Sequence, residues 1–503
     1  MQIYPVLDYN WGLMAPEITM LTTATLLSLW DMFVKPQRDR RLLGWFAVMG
    51  TLAAMVFVIL HVGQPVQEIL GDKYRIDAFA NAFKLIILAA TALTLVQAVY
   101  ETEKGQISFR GEFYYLFLTA ALGGMILVSS ADLITMFIGL ETLSISTYIM
   151  AGMRRREPES NEAAFKYIVY GGASSATMLY GFSFLYGVTG TTHLYEMQAR
   201  LSEAAAQGFG MVIGLGLLLS LVGIGFKISS APFHMWAPDV YQGSPTPLAA
   251  FLSVASKAAG YALLFRLFFT LFFAPFGENR FLFIAATVVG VVAALSMIWG
   301  NTAALHQVNA KRLLAYSSIG QVGYLLVPFA TMTNLMYTQA LYFLVAYLLM
   351  NMGAFAVIQL VSRQAGSEDI ASFAGLYRRS PLLALAMTVL LLSLAGFPFT
   401  AGFVGKFLIL MSTFAIGNYW LPIVMIGTTV VSYYFYFGII RQMYLRTDEQ
   451  GPLRVPWGMG CVVGVAVVAT LLFGAAPDLV LGTISQHFPV MEQLFQPAEP
   501  GLR

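Results

Sequence analysis

Charged residues are scarce in this chain, at 11% of its 503 positions, against about 25% in a soluble globular domain. Hydrophobic residues make up 58%. Too little polar surface is available to cover a core in water, so an all-α integral membrane protein is expected. Cysteine is nearly absent. The single Cys461 excludes an intrachain disulfide and any all-cysteine iron–sulfur or structural zinc site. The five histidines, His61, His193, His234, His306 and His487, are widely spread and offer no metal-ligand spacing. No glycine-rich fingerprint follows a strand, and there is neither a nucleotide loop nor a nucleophilic triad. Nothing here carries electrons, so no cofactor is expected in the chain. A net charge of +2 from scattered basic residues argues against a nucleic-acid partner, which needs a clustered basic footprint.

Long apolar runs are plentiful. Separated by polar or glycine-rich breaks, they predict about fourteen transmembrane helices, near 14–34, 42–62, 77–99, 112–130, 132–152, 162–188, 208–231, 245–272, 281–301, 311–330, 335–362, 381–416, 420–445 and 456–476. The first run lacks a preceding basic region and reads as a retained helix rather than a cleaved signal. The run at 381–416 is too long for one straight crossing, and GFPFTAG at its middle predicts a broken helix. The stretch 223–260 carries Pro232, Pro238, Pro245 and Pro247 between two apolar segments, which predicts another break. Proline removes a backbone donor, and a membrane tolerates that only where protein or trapped water satisfies the freed groups.

Loop charge orients the chain. One set of alternate loops carries seventeen basic residues, among them Lys35, Arg38, Lys104, Arg110, Arg154–Arg156, Lys311, Arg312, Arg363 and Arg379. The opposite set carries five: Lys73, Arg75, Arg200, Arg280 and Arg503. The richer side is expected to be cytoplasmic and both termini to face outward. Counting from the fourth helix, two consecutive groups of five each contain one broken member. An odd-numbered repeat must invert in the membrane, as in secondary transporters. The expected organisation is an N-terminal unit 1–110, five-helix units 111–272 and 273–446, and a C-terminal helix and tail 447–503.

Six basic residues fall inside helices: Lys84, Lys166, Lys227, Lys257, Arg266 and Lys406. Lys84, Lys166 and Arg266 lie near helix ends and are expected to snorkel to headgroups. The other three have less room to escape, and charge at such depth is expensive. Glu141, in FIGLETLSI, is their acidic counterpart. Glu141 and Lys227 read either as a proton switch or as a static ion pair between two helices. Lys257 reads as a central proton relay or a structural lysine. Lys406 is a terminal relay or a cap on the end of a half-helix. His234, in APFHMW, and His306, in ALHQVNAKRLL, are either relays or satisfied polar groups. Asp132 reads as interfacial. Tyr167, Tyr170, Ser174, Ser175, Ser317 and Ser318 are water anchors or ordinary packing.

Taken together and in order, FIGLETLSISTYIMAG, FKISSAPFHMWAPDVYQGSPTP, SVASKA, NAKRLLAYSSIGQVGY and GFPFTAGFVGKF resemble the antiporter-like membrane subunits of bacterial respiratory complex I, the NADH–quinone oxidoreductase. The resemblance covers essentially the whole chain. It implies fourteen helices with two inverted five-helix repeats and broken seventh and twelfth helices. It also implies that Glu141 pairs with Lys227, that Lys257 is the central lysine and that Lys406 lies near an outward half-channel. A lysine at 406 favours the branch that carries lysine there over the one that carries glutamate. NADH, FMN, iron–sulfur clusters and quinone are then expected in partner subunits, with other membrane subunits, lipids and protons as partners. The expected location is the bacterial inner membrane. Subunits of multisubunit cation/proton antiporters and of the photosynthetic relative of complex I are alternatives. A solitary transporter for a small organic solute is a third, which predicts a solute-specific midplane pocket.

Overall fold

A computed structural model describes residues 9–35, 39–101, 110–272, 280–332, 335–447 and 451–493, with the side chains of 110, 272, 280–282 and 491–492 outside the description. Of the orienting charges, Arg38, Lys104 and Arg503, and the side chains of Arg110 and Arg280, lie outside the described residues.

The described chain is helical except for a hairpin, β1 (Gln67–Ile69) and β2 (Tyr74–Ile76), paired antiparallel with Gln67 opposite Ile76. The first six helices are α1 (Ala15–Phe33), α2 (Arg41–His61), α3 (Ala78–Glu101), α4 (Arg110–Ser129), α5 (Leu133–Ala151) and α6 (Pro158–Thr189). An amphipathic α7 (Leu194–Ala204) leads through a π turn into α8 (Gly210–Ile228), and α9 (Trp236–Gly243) follows the break. Next come α10 (Thr246–Phe251), a π turn (Leu252–Ser256) and α11 (Lys257–Phe272), stacked into one span. α12 (Arg280–Ala304), α13 (Ala310–Thr331), α14 (Met336–Ala365) and the short α15 (Leu376–Arg379) precede the second break, between α16 (Pro381–Ala395) and α17 (Ala401–Ala415). α18 (Trp420–Leu445), α19 (Trp457–Ala475), α20 (Asp478–His487) and α21 (Val490–Gln493) complete the order.

Twelve helices among the described residues are long and apolar enough to cross a membrane. The 32-residue α6 and the α16–α17 pair supply the other two of the fourteen expected. The hairpin, α7, α20 and both π turns were not foreseen, because segments so short leave no periodic signal.

Local chemistry sets the helix ends. Asp132 caps α5 by accepting from the amides of Ile134 and Thr135, and Asn309 and Thr400 cap α13 and α17 in the same way. α6 and α16 begin on proline, whose missing N–H costs nothing in a first turn, and α14 and α16 end on left-handed Gly366 and Gly396. Packing needs small residues, since lipid gives helices no hydrophobic drive to associate. α4 and α5 touch so closely that a Cβ on Gly139 would lie 2.7 Å from the Leu127 amide nitrogen. The span from Thr246 to Leu271 is buried along its whole length, whereas α1 and α2 expose Leu26, Phe33, Leu42 and Leu60. An apolar surface that broad needs lipid or another apolar protein surface to cover it.

Candidate buried proton axis

Three lysines stand inside the bundle at 2% (Lys227), 1% (Lys257) and 6% (Lys406) exposure. Each has a neutral hydrogen-bond partner, and the described ion pairs include none of them.

Lys227 occupies the last turn of α8, which Ser229 terminates in the left-handed region. Its Nζ donates to Ser144 Oγ at 3.0 Å. Ser144 lies three residues after Glu141, on the same face of α5. The expected Glu141–Lys227 ion pair is therefore not formed. Glu141 Oε1 is buried without a hydrogen-bond partner, while the carboxylate is close enough to act on Lys227 through space. The ammonium is held by the Ser144 hydroxyl, which itself donates to the Leu140 carbonyl, where a direct contact with Glu141 was expected.

Lys257 is the first residue after the π turn, and its Nζ donates to Ser318 Oγ at 2.8 Å. It adjoins Lys227 through Gly260, one turn further along α11. A Cβ there would fall 2.7 Å from Ile228 Cγ2 and 3.3 Å from Lys227 Cγ.

Lys406 reaches from α17 back to the end of α16, donating to the Leu394 carbonyl at 2.8 Å, with its Nζ 4.5 Å from the centre of the Tyr324 ring. This is the geometry of a half-helix cap, one of the two readings open from sequence. Ser393 Oγ accepts from the Gly402 amide at 3.1 Å and ties the two halves together across the break.

α13 links the second and third lysines. Ser318 holds Lys257, and its neighbour Ser317 bonds to the Tyr436 hydroxyl. Gln321 Nε2 lies 3.5 Å from that hydroxyl and donates to the Leu394 carbonyl at 3.0 Å, the same oxygen that accepts from Lys406. Polar groups of α13, α18 and α16 thus lie between Lys257 and Lys406 in two hydrogen-bonded groups. One is Lys257 with Ser318, and the other runs from Ser317 through Tyr436, Gln321 and the Leu394 carbonyl to Lys406. They meet at the sequence neighbours Ser317 and Ser318. Gln321, Tyr324 and Tyr436 were not singled out from sequence, because nothing distinguishes them there from packing residues.

The histidines do not join this line. His234 is buried in the break between α8 and α9, its ring 5.5 Å from that of Trp299 in an edge-on contact. No described hydrogen bond connects it to the lysines. His306 is exposed in the turn after α12.

The snorkelling expected of the remaining helix cations is corrected. Lys84 is fully buried and pairs with Glu17 at 2.8 Å. Arg266 is fully buried on both oxygens of Asp77, at 2.5 and 3.0 Å. Lys166 pairs with Glu162 and with Asp239, each at 2.6 Å. Asp239 also receives Arg312 at 2.5 Å, so it fastens α9 to α6 and α13. Burial pushes its carboxyl up, but the hydrogen bonds from Lys166 and Arg312 outweigh that and hold it below the ordinary carboxylate value. Asp132 caps the end of α5, packed inside the bundle, and Tyr170 is exposed.

A transmembrane family model described as NADH:quinone oxidoreductase/Mrp antiporter matches residues 130–432, a range that holds Glu141, Lys227, Lys257 and Lys406. The NADH-quinone oxidoreductase subunit N of Brevibacillus brevis is 48% identical over 496 residues, 97% of each chain. The protein of the same description from a Geobacillus species is 48% identical over 486 residues, 95% of this chain and 99% of that one. A chain of the respiratory complex I of Thermus thermophilus, solved with bound aureothin, superposes with a TM-score of 0.77 at 34% identity, over 93% of this chain and 98% of its own.

Proposed function

The chain belongs to the NADH:quinone oxidoreductase/Mrp antiporter transmembrane family, and from that premise we propose that it is a proton-translocating membrane subunit of NADH–quinone oxidoreductase, of the subunit N type. NADH oxidation and quinone reduction take place in partner subunits, where NADH, FMN, iron–sulfur clusters and quinone bind. This chain supplies a path for protons. It sits in a bacterial inner membrane with its arginine-rich loops in the cytoplasm and both termini outside. Residues 111–272 and 273–446 act as two inverted units, each with one broken helix.

One observation carries the reading: two hydrogen-bonded polar groups, one on Lys257 and one on Lys406, that meet at the neighbouring Ser318 and Ser317 of α13 inside a largely apolar bundle. Charge at such depth is expensive, so whether each lysine holds a proton responds to small changes around it. Hydroxyl and carbonyl partners allow a proton to move on without first breaking a tight ion pair. Moving each charge against the membrane potential costs about 2.3 kcal/mol per 100 mV, so events in the partner subunits must gate the path. In the proposed sequence the Glu141 carboxylate acts on Lys227, Lys227 acts on Lys257 across Gly260, and Lys257 passes its proton along α13 toward Lys406.

Lys257→Met retains length and apolar packing but removes the exchangeable proton. In membrane vesicles energised by NADH, quinone reduction and acidification are measured together. The complex is expected to assemble and to pump fewer protons per NADH. An unchanged ratio in fully assembled complex would reject the relay.

A further inference from the structure

A polar cavity of about 350 Å³ opens at the arginine-rich end of the bundle, lined by Glu101, Arg154, Thr246, Gln359, Arg363 and Glu368 among others. It gathers charge from separate elements. Arg154, in the loop after α5, pairs with Glu101 of α3 at 2.5 Å and with Glu368 at 3.6 Å. Gln359 of α14 donates to Glu101 Oε2 at 2.9 Å. Behind the wall lies a lysine that the relay described above does not use. Lys311, in the first turn of α13, is 0% exposed, while its partner Glu368, 2.7 Å away, is 21% exposed and faces the cavity. Lys311 also donates to the Ser244 carbonyl at 2.8 Å, at the joint between α9 and α10.

The space between Lys311 and Lys257 is polar. Ser318, which holds Lys257, lies seven residues after Lys311, two turns along the same face of α13 and about 10 Å away. The buried hydroxyls of Tyr241, Tyr347, Ser244 and Ser256 have no described hydrogen-bond partner, and the first two lie near Ser318. Buried hydroxyls are rarely left unsatisfied in proteins, and ordered water is their usual partner where the protein provides none. Tyr241 and Tyr347 near Ser318, and Ser244, whose carbonyl holds Lys311, put such groups at both ends of the interval between Lys311 and Lys257.

We infer that this cavity is the cytoplasmic mouth of the proton path, with Glu368 collecting the proton and Lys311 passing it by way of water to Ser318 and Lys257. The inference rests on the pump reading and on the orientation proposed with it. The resting pair is the Glu368 carboxylate with the Lys311 ammonium. The ammonium gives its proton to the water line as Lys257 takes one from it. Lys311 is then refilled from the cavity through Glu368. Net charge and proton number balance at each hand-over.

The test uses the assembled complex in inverted membrane vesicles, which present the cytoplasmic face to the medium. In a background carrying Cys461→Ser, the cavity-lining Ser367 is replaced by Cys, leaving Glu368 and Lys311 intact. A charged, membrane-impermeant methanethiosulfonate is then added. Expected is labelling from the medium and a fall in protons pumped per NADH equal to that caused by Lys257→Met, with quinone reduction retained once the membrane is uncoupled. Labelling without loss of pumping would overturn the entry site and leave the pump reading standing. Labelling only from the opposite face would overturn the orientation, and the entry site with it. Lys311→Arg, which retains the ion pair but holds its proton, separates a carrier from a strut: it should assemble and pump no better than Lys257→Met. Pumping at the wild-type ratio would overturn the role of Lys311.

Discussion

Lys406 donates to the main-chain carbonyl of Leu394 at 2.8 Å, crossing from one half of a broken helix to the other. The carbonyl ends of a helix carry partial negative charge, and an ammonium there is favourable. The lysine that terminates the proposed path therefore also secures the end of α16. Its proton is shared between transport and structure, and a neutral Lys406 leaves that end less well held.

These two roles separate by substitution. Lys406→Met should cost about 1–2 kcal/mol of local stability through loss of the charge-assisted cap, and it should abolish this subunit's share of pumping. Lys406→Arg retains a permanent cation against the Leu394 carbonyl and the Tyr324 ring, but does not release its proton at working pH. Native gel electrophoresis should show wild-type assembly for the arginine variant, and vesicle acidification should show the same loss as for methionine. Recovery of pumping in the arginine variant would leave Lys406 as a cap only.

Some of this was legible in the sequence. A charge inside an apolar run is visible without a structure, so Glu141, Lys227, Lys257 and Lys406 stood out, and both breaks fell where proline and glycine cluster. Lys84 and Arg266 were misjudged because a helix-end position does not reveal that Glu17 and Asp77, distant in sequence, fold over them. Lys311 read as a loop charge for the same reason: its burial is created by Glu368 and the Ser244 carbonyl. Asp239 was visible in the proline-rich joint, but its two cationic partners come from other helices. The π turn before Lys257 has no propensity signature at all.

Gly260 brings two of the lysines together, and this gives a second prediction. In Gly260→Ala the added methyl meets Ile228 at 2.7 Å and Lys227 at 3.3 Å. Overpacking of this kind costs about 1–3 kcal/mol. Since the tightest contact is the branched Ile228 and the Lys227 atoms met are next to the backbone, relief requires a shift of the end of α8 that carries Lys227. The variant should assemble with reduced yield, and its pumping ratio should fall more than its quinone reductase rate. A proportional fall in both would mean that Gly260 matters to packing alone.

Asp239 gives a prediction in pH. Its carboxyl value is depressed in the folded protein by Lys166 and Arg312. A depressed acid stabilises above its unfolded value, about 3.9, and that contribution is lost as pH falls through the lower folded value. In thermal unfolding of the solubilised complex, Asp239→Asn should melt below wild type at pH 7. The two should converge as the pH drops below about 4. A constant gap across that range would show that the clamp does not act through the charge on Asp239.

The last prediction concerns Glu141 and Lys227, which form no described ion pair while Lys227 bonds to Ser144. A structural ion pair requires contact, and removing one partner of such a buried pair costs about 3–5 kcal/mol. Here the described hydrogen bond of Lys227 Nζ goes to Ser144 Oγ at 3.0 Å rather than to Glu141, so loss of the Glu141 charge is expected to leave it in place. Glu141→Gln should therefore assemble near the wild-type level while its pumping falls, because the carboxylate no longer biases the lysine. Ser144→Ala removes the bond that holds the ammonium and should reduce assembly more than Glu141→Gln does. The cycle closes with Lys227→Ala and the Glu141→Ala/Lys227→Ala double variant, with turnover normalised to the amount of assembled complex. A strut predicts that the double variant recovers normal normalised pumping, since no unpaired charge remains. A switch predicts good assembly with poor pumping, and the absence of a described ion pair between the two residues favours that outcome: the Ser144 hydroxyl holds the ammonium, so the carboxylate can influence the lysine without locking it.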